Sequence, residues 1–262
     1  NVNSLQPIAS KELPGEVKPL VDALNDLLER LANAFAMQKH FIADAAHELR
    51  TPVAALSIQV ELAQRATQEV ERQVSLSEVQ SGVMRLTHLT QQLLTLARLE
   101  PDAQSPVMQS VELSALCKSV ITDQVRRAEA SGIDLGLTEH AASSIFGDPE
   151  TLRILLNNLV DNAIRYAGAR AKIDVAVRDT DQGVVLEVCD NGPGISAAER
   201  ERVLERFYRG NNQNGSGSGL GLAIVNAIAE QHGAQVVLDT APNSLGLRVQ
   251  VVFPFQSEKY AG

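Results

Sequence analysis

Apolar side chains recur along the first fifty positions at alternating spacings of four and three residues. The members of this series are Val17, Val21, Leu24, Leu28, Leu31, Phe35, Gln38, Ile42, Ala45 and Leu49. A heptad seam of this length predicts one long helix that associates with another helix, as in a dimer. The pattern continues through Val60 to about Arg65, and Pro19 fits because a proline costs little in the first helical turn.

A second apolar series follows a polar stretch, residues 67–72, which we interpret as a turn. Its members are Val79, Val83, Leu86, Thr90, Leu93 and Ala97. Two antiparallel helices of this kind form a hairpin, and two hairpins form a four-helix bundle. The first hundred residues therefore predict an all-α helical hairpin that forms a dimeric four-helix bundle.

The pattern changes after the proline-containing stretch 101–106, which is the best linker candidate. Helical and strand patterns then alternate, and Asp148-Pro149 is a typical helix start. Helices are predicted over 113–130, 149–167 and 220–233, and strands in VMQSVEL, IDLGL, SIF, KIDVAVRD, VVLEVCD, QVVLD and LRVQVVF. This order predicts an α/β sandwich with a mixed sheet.

The amino-acid composition makes some classes of function less plausible for this chain. The 262 residues carry a formal net charge of -9, which disfavours nucleic-acid binding. The two cysteines, Cys117 and Cys189, lack metal-ligand spacing and are expected to be free thiols. No stretch reaches the ~18 apolar residues of a membrane span, and no signal peptide is visible.

Two glycine-rich stretches point to a bound nucleotide. In DNGPGI, residues 190–195, the glycines allow close approach of a ligand, and Asp190 supplies a fixed acceptor. In GSGSGLGLAIV, residues 215–225, glycines precede a predicted helix, where free N–H groups favour phosphate. Neither stretch fits the dinucleotide-binding fingerprint or the P-loop. The polar segment between them is typical of a lid, although a tight turn and an ordinary mobile loop would also explain these stretches.

Two asparagines lie four residues apart on one predicted helix. The carbonyl oxygens of Asn158 and Asn162 could ligate Mg²⁺ beside phosphates. Arg165 and Tyr166 follow one turn later, and the arginine could neutralise phosphate charge. A solvated polar helix face would have the same spacing.

Five motifs together resemble those of bacterial two-component sensor histidine kinases. FIADAAHELRTP resembles the phosphoacceptor box, NNLVDNAIRYA the N box, DNGPGI and GSGLGLAIV the glycine boxes, and ERFYRG the phenylalanine box. They occur in the family's order between residues 41 and about 228. LPGEVKPLVDALNDLLERL, which precedes them, resembles the second helix of a HAMP signal-relay module.

The resemblance implies a domain plan and partners. It implies a HAMP-like helix over 1–35, a dimerisation and histidine phosphotransfer domain over 36–102, and a catalytic domain of the Bergerat ATP-binding type over 107–258. Such a chain would be a homodimer that phosphorylates the receiver domain of a response regulator and binds no nucleic acid. It would be the cytoplasmic portion of a bacterial inner-membrane protein, attached to the membrane only through an upstream segment.

The resemblance also assigns roles by position. His47 would be the phosphoacceptor, Glu48 would help manage its proton, and Thr51 would orient water for a phosphatase activity. Asn162 would hold Mg²⁺. The ATP-binding residues would be Asn158, Asn162, Arg165, Tyr166, Asp190, Gly192, Gly194, Ile195, Phe207, Arg209, Gly217, Gly219, Leu220 and Gly221. Ser218 stands where threonine is commoner in the family.

The residues around His47 support its assignment on physical grounds. Ala45 and Leu49 continue the seam, so His47 is expected to face solvent, where neutral imidazole is nucleophilic. Pro52 lacks an N–H, which frees the Glu48 carbonyl and should make the helix bendable there. A solvated surface histidine is the alternative for His47 alone. For the whole chain the alternatives are a related topoisomerase, mismatch-repair or chaperone ATPase, or a non-catalytic scaffold.

Overall fold

The computed structural model describes residues 8, 17–99, 107–210, 217–242 and 245–255. The chain divides into two compact units, Asn1–Thr87 and His88–Gly262. The predicted linker, residues 101–106, and the middle of the predicted lid, residues 211–216, lie outside the described residues.

The first unit contains one long helix and most of a second. Helix α1 spans Lys18–Arg65, 48 residues, with Pro19 in its first turn and Pro52 inside it. Helix α2 spans Glu69–Arg98. Leu56 packs closely on Gly82, because a Cβ atom at Gly82 would lie 2.6 Å from its Cδ2 atom. The predicted helical hairpin is therefore confirmed.

The turn between the two helices is shorter than the sequence suggested. Helix α2 begins at Glu69, so the interpretation of residues 67–72 as a turn was wrong for the last four of them. Acidic side chains are favourable in the first turn of a helix, where they face the positive end of its dipole. The carboxylate of Glu69 also pairs with Arg72 and accepts a hydrogen bond from Gln73 at 3.0 Å. These local contacts make polar residues good helix starters here.

The second unit is a two-layer α/β sandwich. Its helices are α3, Leu113–Ala130, α4, Pro149–Tyr166, and α5, Gly221–Gln231. Its strands are β1, Gln109–Glu112, β2, Asp134–His140, β3, Ser144–Gly147, β4, Lys172–Thr180, β5, Gly183–Asp190, β6, Gln235–Thr240, and β7, Leu247–Pro254. The main sheet has the order β2-β4-β5-β7-β6, and β1 pairs separately with β3. Only the β2–β4 pair of the main sheet is parallel, which confirms the predicted mixed sheet.

The two faces of the main sheet differ. Ile173, Val175 and Val177 of β4 alternate on the fully buried face, as expected of a strand with one face against helices. The opposite face carries charges, with Arg178 paired to Glu139 and Glu187. The hydrophobic core therefore lies on the helical side of the sheet.

A capped helix start and a buried histidine connect α4 to α5. Asp148 caps α4 by accepting a hydrogen bond from the Glu150 N–H at 3.0 Å. Nε2 of His232, just after α5, accepts from the Asp148 N–H at 3.0 Å, while Nδ1 lies 2.7 Å from the Ile228 carbonyl. The start of α4 is thereby fixed to the end of α5. No helix in the described parts of the chain is long and apolar enough to cross a bilayer.

Candidate active site

A cavity of about 380 Å³ opens in the second unit beside α4. Its walls come from α4, from the residues that follow β5, and from the glycine-rich stretch before α5. Three distant parts of the sequence thus meet around one space. Apolar side chains of the sheet, Val188 and Val249, contribute to its lining.

Asp190 is a buried acceptor in this cavity. It is 8% exposed, and its Oδ1 atom accepts hydrogen bonds from the N–H groups of Gly192 at 2.8 Å and Leu247 at 3.2 Å. Oδ2 accepts no hydrogen bond from the residues that the structure describes. Burial raises the pKa of Asp190, and the two backbone hydrogen bonds partly oppose this.

The turn before β7 places one of these donors. Gly246 has a φ of 102°, in the region that only glycine adopts readily. A Cβ atom there would lie 1.9 Å from the Asp190 carbonyl oxygen. The glycine therefore lets the turn approach the end of β5 and aim the Leu247 N–H at Asp190.

The amide side chains of α4 line the cavity as the spacing predicted. Asn158 donates from Nδ2 to the Ile154 carbonyl at 2.8 Å, which orients its amide oxygen away from that carbonyl. Asn162 lies against the start of α5, because a Cβ atom at Gly221 would be 3.0 Å from its Oδ1 atom. The glycine at this position lets α4 and α5 approach each other.

An acidic side chain that sequence patterns did not identify lies close to two arginines and a histidine at the edge of the cavity. Asp161 pairs with Arg127 of α3 and, at 3.2 Å, with Arg165 one turn along α4. His88 Nε2 lies 4.0 Å from the same carboxylate. Burial lowers the pKa of His88, and the Asp161 carboxylate partly opposes this. Arg165 is therefore held at the cavity by an ion pair.

The second glycine stretch packs closely on its neighbours. A Cβ atom at Gly217 would lie 2.1 Å from the Tyr166 hydroxyl oxygen. Gly219 has a φ of 70°, and its carbonyl accepts from the Phe207 N–H at 3.0 Å. Phe207 itself has a φ of 63°, which is uncommon for a bulky residue and marks local strain.

Most of the residues assigned by resemblance line one cavity. Those that do are Asn158, Asn162, Arg165, Tyr166, Asp190, Gly194, Ile195, Arg209, Gly217, Gly219 and Gly221. Three others do not: Gly192 supports Asp190, Phe207 supports Gly219, and Leu220 is fully buried before α5. The sequence missed His88, Gln92 and Asp161, which also line the cavity.

The phosphoacceptor candidate lies on α1 in the first unit. His47 is exposed, whereas its neighbours Ala45, Glu48 and Leu49 are partly buried, so the expected solvent-facing orientation is observed. The Thr51 hydroxyl donates to the His47 carbonyl at 3.5 Å. The helix runs on without interruption through Pro52.

Comparison with known families matches both units. Residues 37–102 match a family described as His Kinase A (phospho-acceptor) domain. Residues 147–257 match one described as Histidine kinase-, DNA gyrase B-, and HSP90-like ATPase. Sensor protein kinase PmrB of Pseudomonas aeruginosa is 38% identical over 251 residues, which are 95% of this chain and 52% of PmrB.

The chain belongs to the bacterial two-component sensor histidine kinases. Sensor protein QseC of Escherichia coli K12 is 39% identical to this sensor histidine kinase chain over 241 residues, 91% of the chain and 53% of QseC. The chain thus spans about half the length of the curated relatives it matches. Mycobacterial sensor histidine kinase MprB has a TM-score of 0.50 at 30% identity, covering 56% of this chain and 97% of that structure. Acinetobacter baumannii histidine kinase AdeS, at 23% identity, shares the fold with a TM-score of 0.64 over 80% of this chain and 98% of that structure.

Proposed function

We propose that this chain transfers the γ-phosphoryl group of ATP to His47, with Mg²⁺, and then to an aspartate of a response-regulator receiver domain. The observation that carries the proposal is the cavity in which a buried carboxylate and a glycine-rich helix start face the same space. Those two features suit the two ends of one adenine nucleotide.

The carboxylate end suits the base. The Oδ2 atom of ionised Asp190 can accept a hydrogen bond from the exocyclic amino group of adenine. A buried acceptor is costly without a partner, so a ligand donor there has a large effect. Ile195, Val188 and Val249 offer apolar surface for the flat ring. This end of the cavity therefore favours adenine over bases without that amino group.

The other end suits the phosphates. Gly219 and Gly221 bring backbone close to the ligand at the start of α5, where the free N–H groups and the helix dipole favour negative charge. Arg165 and Arg209 add positive charge at the same cavity. Neutral amide oxygens are suitable Mg²⁺ ligands beside phosphates, so Asn162 would hold the ion, and Asn158 would support it. The bound ion would neutralise charge on the phosphates during transfer.

The chemistry at His47 needs an accessible imidazole. One ring nitrogen attacks the γ-phosphorus, the bond from that phosphorus to the β,γ-bridging oxygen breaks, and ADP leaves. Glu48, the next residue in the chain, would accept a hydrogen bond from the other ring nitrogen and so stabilise the positive charge that develops. The exposed position of His47 fits this role.

Labelled ATP tests the central step. With γ-labelled ATP and Mg²⁺, the parent chain should acquire label that is labile in acid and stable in base, and His47→Gln should acquire none. His40→Gln is the matched control, because His40 is another exposed histidine of α1. ATP turnover without label on the parent, or label that persists in His47→Gln, would instead support a related ATPase or another acceptor.

The proposal includes a phosphatase activity towards the phosphorylated regulator. The Thr51 hydroxyl lies one turn beyond His47 and keeps lone pairs that can orient water while it donates to the His47 carbonyl. Thr51→Ala should slow dephosphorylation of the receiver at least about tenfold, because a water molecule without its orienting group is less often in a reactive position. Ser57→Ala is the control, because its hydroxyl makes the same kind of bond on α1, to the Val53 carbonyl at 3.1 Å. Equal rates for both variants would remove Thr51 from the mechanism.

The domain plan and setting belong to the same proposal. A HAMP-like segment over 1–35, a phosphotransfer domain over 36–102 and a catalytic domain over 107–258 would act as a homodimer through the seam on α1. Exposed apolar seam residues of the single chain support that association. The chain would be the cytoplasmic part of an inner-membrane receptor, as the sensor proteins among its relatives suggest.

A further inference from the structure

The last turns of α2 belong to the second unit and turn a buried face towards it. Leu89, Gln92 and Leu96 are 7%, 8% and 0% exposed, and their spacing places them along one side of the helix. The two leucines are ordinary core side chains. A glutamine between them needs hydrogen-bond partners, because a buried amide without partners is destabilising.

Gln92 finds its partners inside the candidate nucleotide cavity. Its Oε1 atom accepts from the Ser218 hydroxyl at 2.7 Å, and its Nε2 atom donates to the Asn158 Oδ1 atom at 3.4 Å. Ser218 belongs to the glycine-rich stretch before α5, and Asn158 belongs to α4. One side chain thus bridges two walls of the cavity.

The two partners of Gln92, the Ser218 hydroxyl and the Asn158 amide oxygen, are also groups that could bind the phosphate end of a nucleotide. A serine hydroxyl has one proton to donate, so Ser218 cannot donate to Gln92 and to a phosphate oxygen at once. The Asn158 amide oxygen, engaged by Gln92, is likewise the atom that would face the metal and phosphates. Asp190, at the base end, accepts its hydrogen bonds from Gly192 and Leu247 and not from Gln92.

We propose that Gln92 is a latch that competes with the phosphate end of the nucleotide, and this inference rests on the proposed function. Binding of Mg-ATP breaks both hydrogen bonds of Gln92 and loosens the segment His88–Arg98 from the second unit. The His88 contact with Asp161 lies one turn earlier on the same segment and is weakened with it. Occupancy of the cavity is thereby coupled to the end of α2.

Gln92→Met tests the latch because methionine keeps the length of the side chain and removes both hydrogen bonds. Its dissociation constants for a non-hydrolysable ATP analogue with Mg²⁺ and for adenosine are measured by calorimetry. Loss of the two competing bonds should lower the constant for the analogue about three- to tenfold. Adenosine lacks the phosphates, so its constant should not change. Gln91→Met, at an exposed neighbouring position, is the matched control and should change neither constant.

Hydrogen exchange of the unaltered chain provides a second measurement that needs no variant. Amides of the segment 88–98 should exchange faster when the ATP analogue is bound and not when adenosine is bound. An unchanged or raised dissociation constant for Gln92→Met, or slower exchange of this segment with the analogue, would overturn the latch alone. A parent chain that binds neither ligand would overturn the proposed function as well.

Discussion

The two units of the chain differ in how completely they bury their apolar side chains. On α1 the seam residues Leu24, Leu31 and Phe35 are 40%, 42% and 46% exposed, whereas Leu155 and Ile224 of the second unit are fully buried. The second unit completes its own core with its sheets, helices α3, α4 and α5, and the last turns of α2. The first unit displays a continuous apolar seam that a single copy leaves partly exposed, which is what an association surface requires.

The candidate chemical groups follow the same contrast. His47 is exposed on its helix, whereas Asp190 is almost enclosed. A nucleophile that must meet a phosphoryl donor and a receiver domain needs access. A carboxylate that must select one base gains from exclusion of water, because hydrogen bonds matter more where water does not compete. The contrast therefore fits the roles proposed for the two side chains, group transfer for His47 and ligand recognition for Asp190.

The largest effect is expected on the stability of the second unit when a side chain of its core is truncated. Leu155→Ala removes a fully buried side chain and should lower the free energy of unfolding of the second unit by about 2–5 kcal/mol. Leu31→Ala, a similar truncation on the exposed seam, should leave that value unchanged. Urea unfolding followed by hydrogen exchange in β4 and β5 measures both. Equal losses would show that the second unit depends on the first for its stability.

The next effect concerns the seam itself. Leu31→Glu places a charge where two copies are proposed to meet and should weaken dimerisation by about 2–3 kcal/mol, roughly 30- to 150-fold. Asn33→Glu adds the same charge at an exposed position outside the seam and should change dimerisation little. Sedimentation equilibrium gives both constants. Similar weakening by both variants would point to general charge repulsion rather than to a seam.

A smaller effect should appear as a pH dependence of base recognition. Because the pKa of Asp190 is raised, its carboxylate takes up a proton at a higher pH than an exposed aspartate does. Protonation removes the acceptor, so adenosine affinity should be constant above the raised pKa of Asp190 and fall by up to about tenfold per pH unit below it. Titration calorimetry from neutral to acidic pH tests this. Asp190→Asn should bind weakly and without that dependence; an equally steep fall in the variant would assign the proton to another group.

The smallest effect is expected at Pro52. Pro52→Ala restores an N–H that can donate to the Glu48 carbonyl and should slow local opening of α1 by a factor that corresponds to about 1 kcal/mol. Pro19→Ala should have little effect, because the first turn of a helix lacks that bond in any case. Hydrogen exchange around His47 measures the difference. No change in Pro52→Ala would remove the basis for a bendable point there.

The elements that sequence patterns predicted well are those with local signals. The bounds of α3 agree because its apolar period and the glycine after it lie next to each other in the chain, and α4 begins where its Asp148 cap was recognised. The start of α2 was misjudged because Glu69 and Arg72 are polar in a loop and in a first helical turn alike. Polarity alone does not distinguish these two states.

The site was predictable where its residues form compact motifs. The N box and both glycine boxes led to Asp190 and the two asparagines before any fold was known. Gln92 carried no signal because its meaning comes from Ser218, which is 126 positions away. Leu247 escaped notice for the same reason, since only its backbone N–H acts, and its partner is 57 positions away. Contacts that depend on tertiary structure leave no local pattern.

The position of Gly246 means that a mutation outside the sequence motifs can also disrupt the site. Any other residue at this turn would push against the backbone of Asp190 and withdraw the Leu247 N–H from its carboxylate. Missense alleles that inactivate the kinase should therefore arise at the codon for Gly246 as readily as within the sequence motifs.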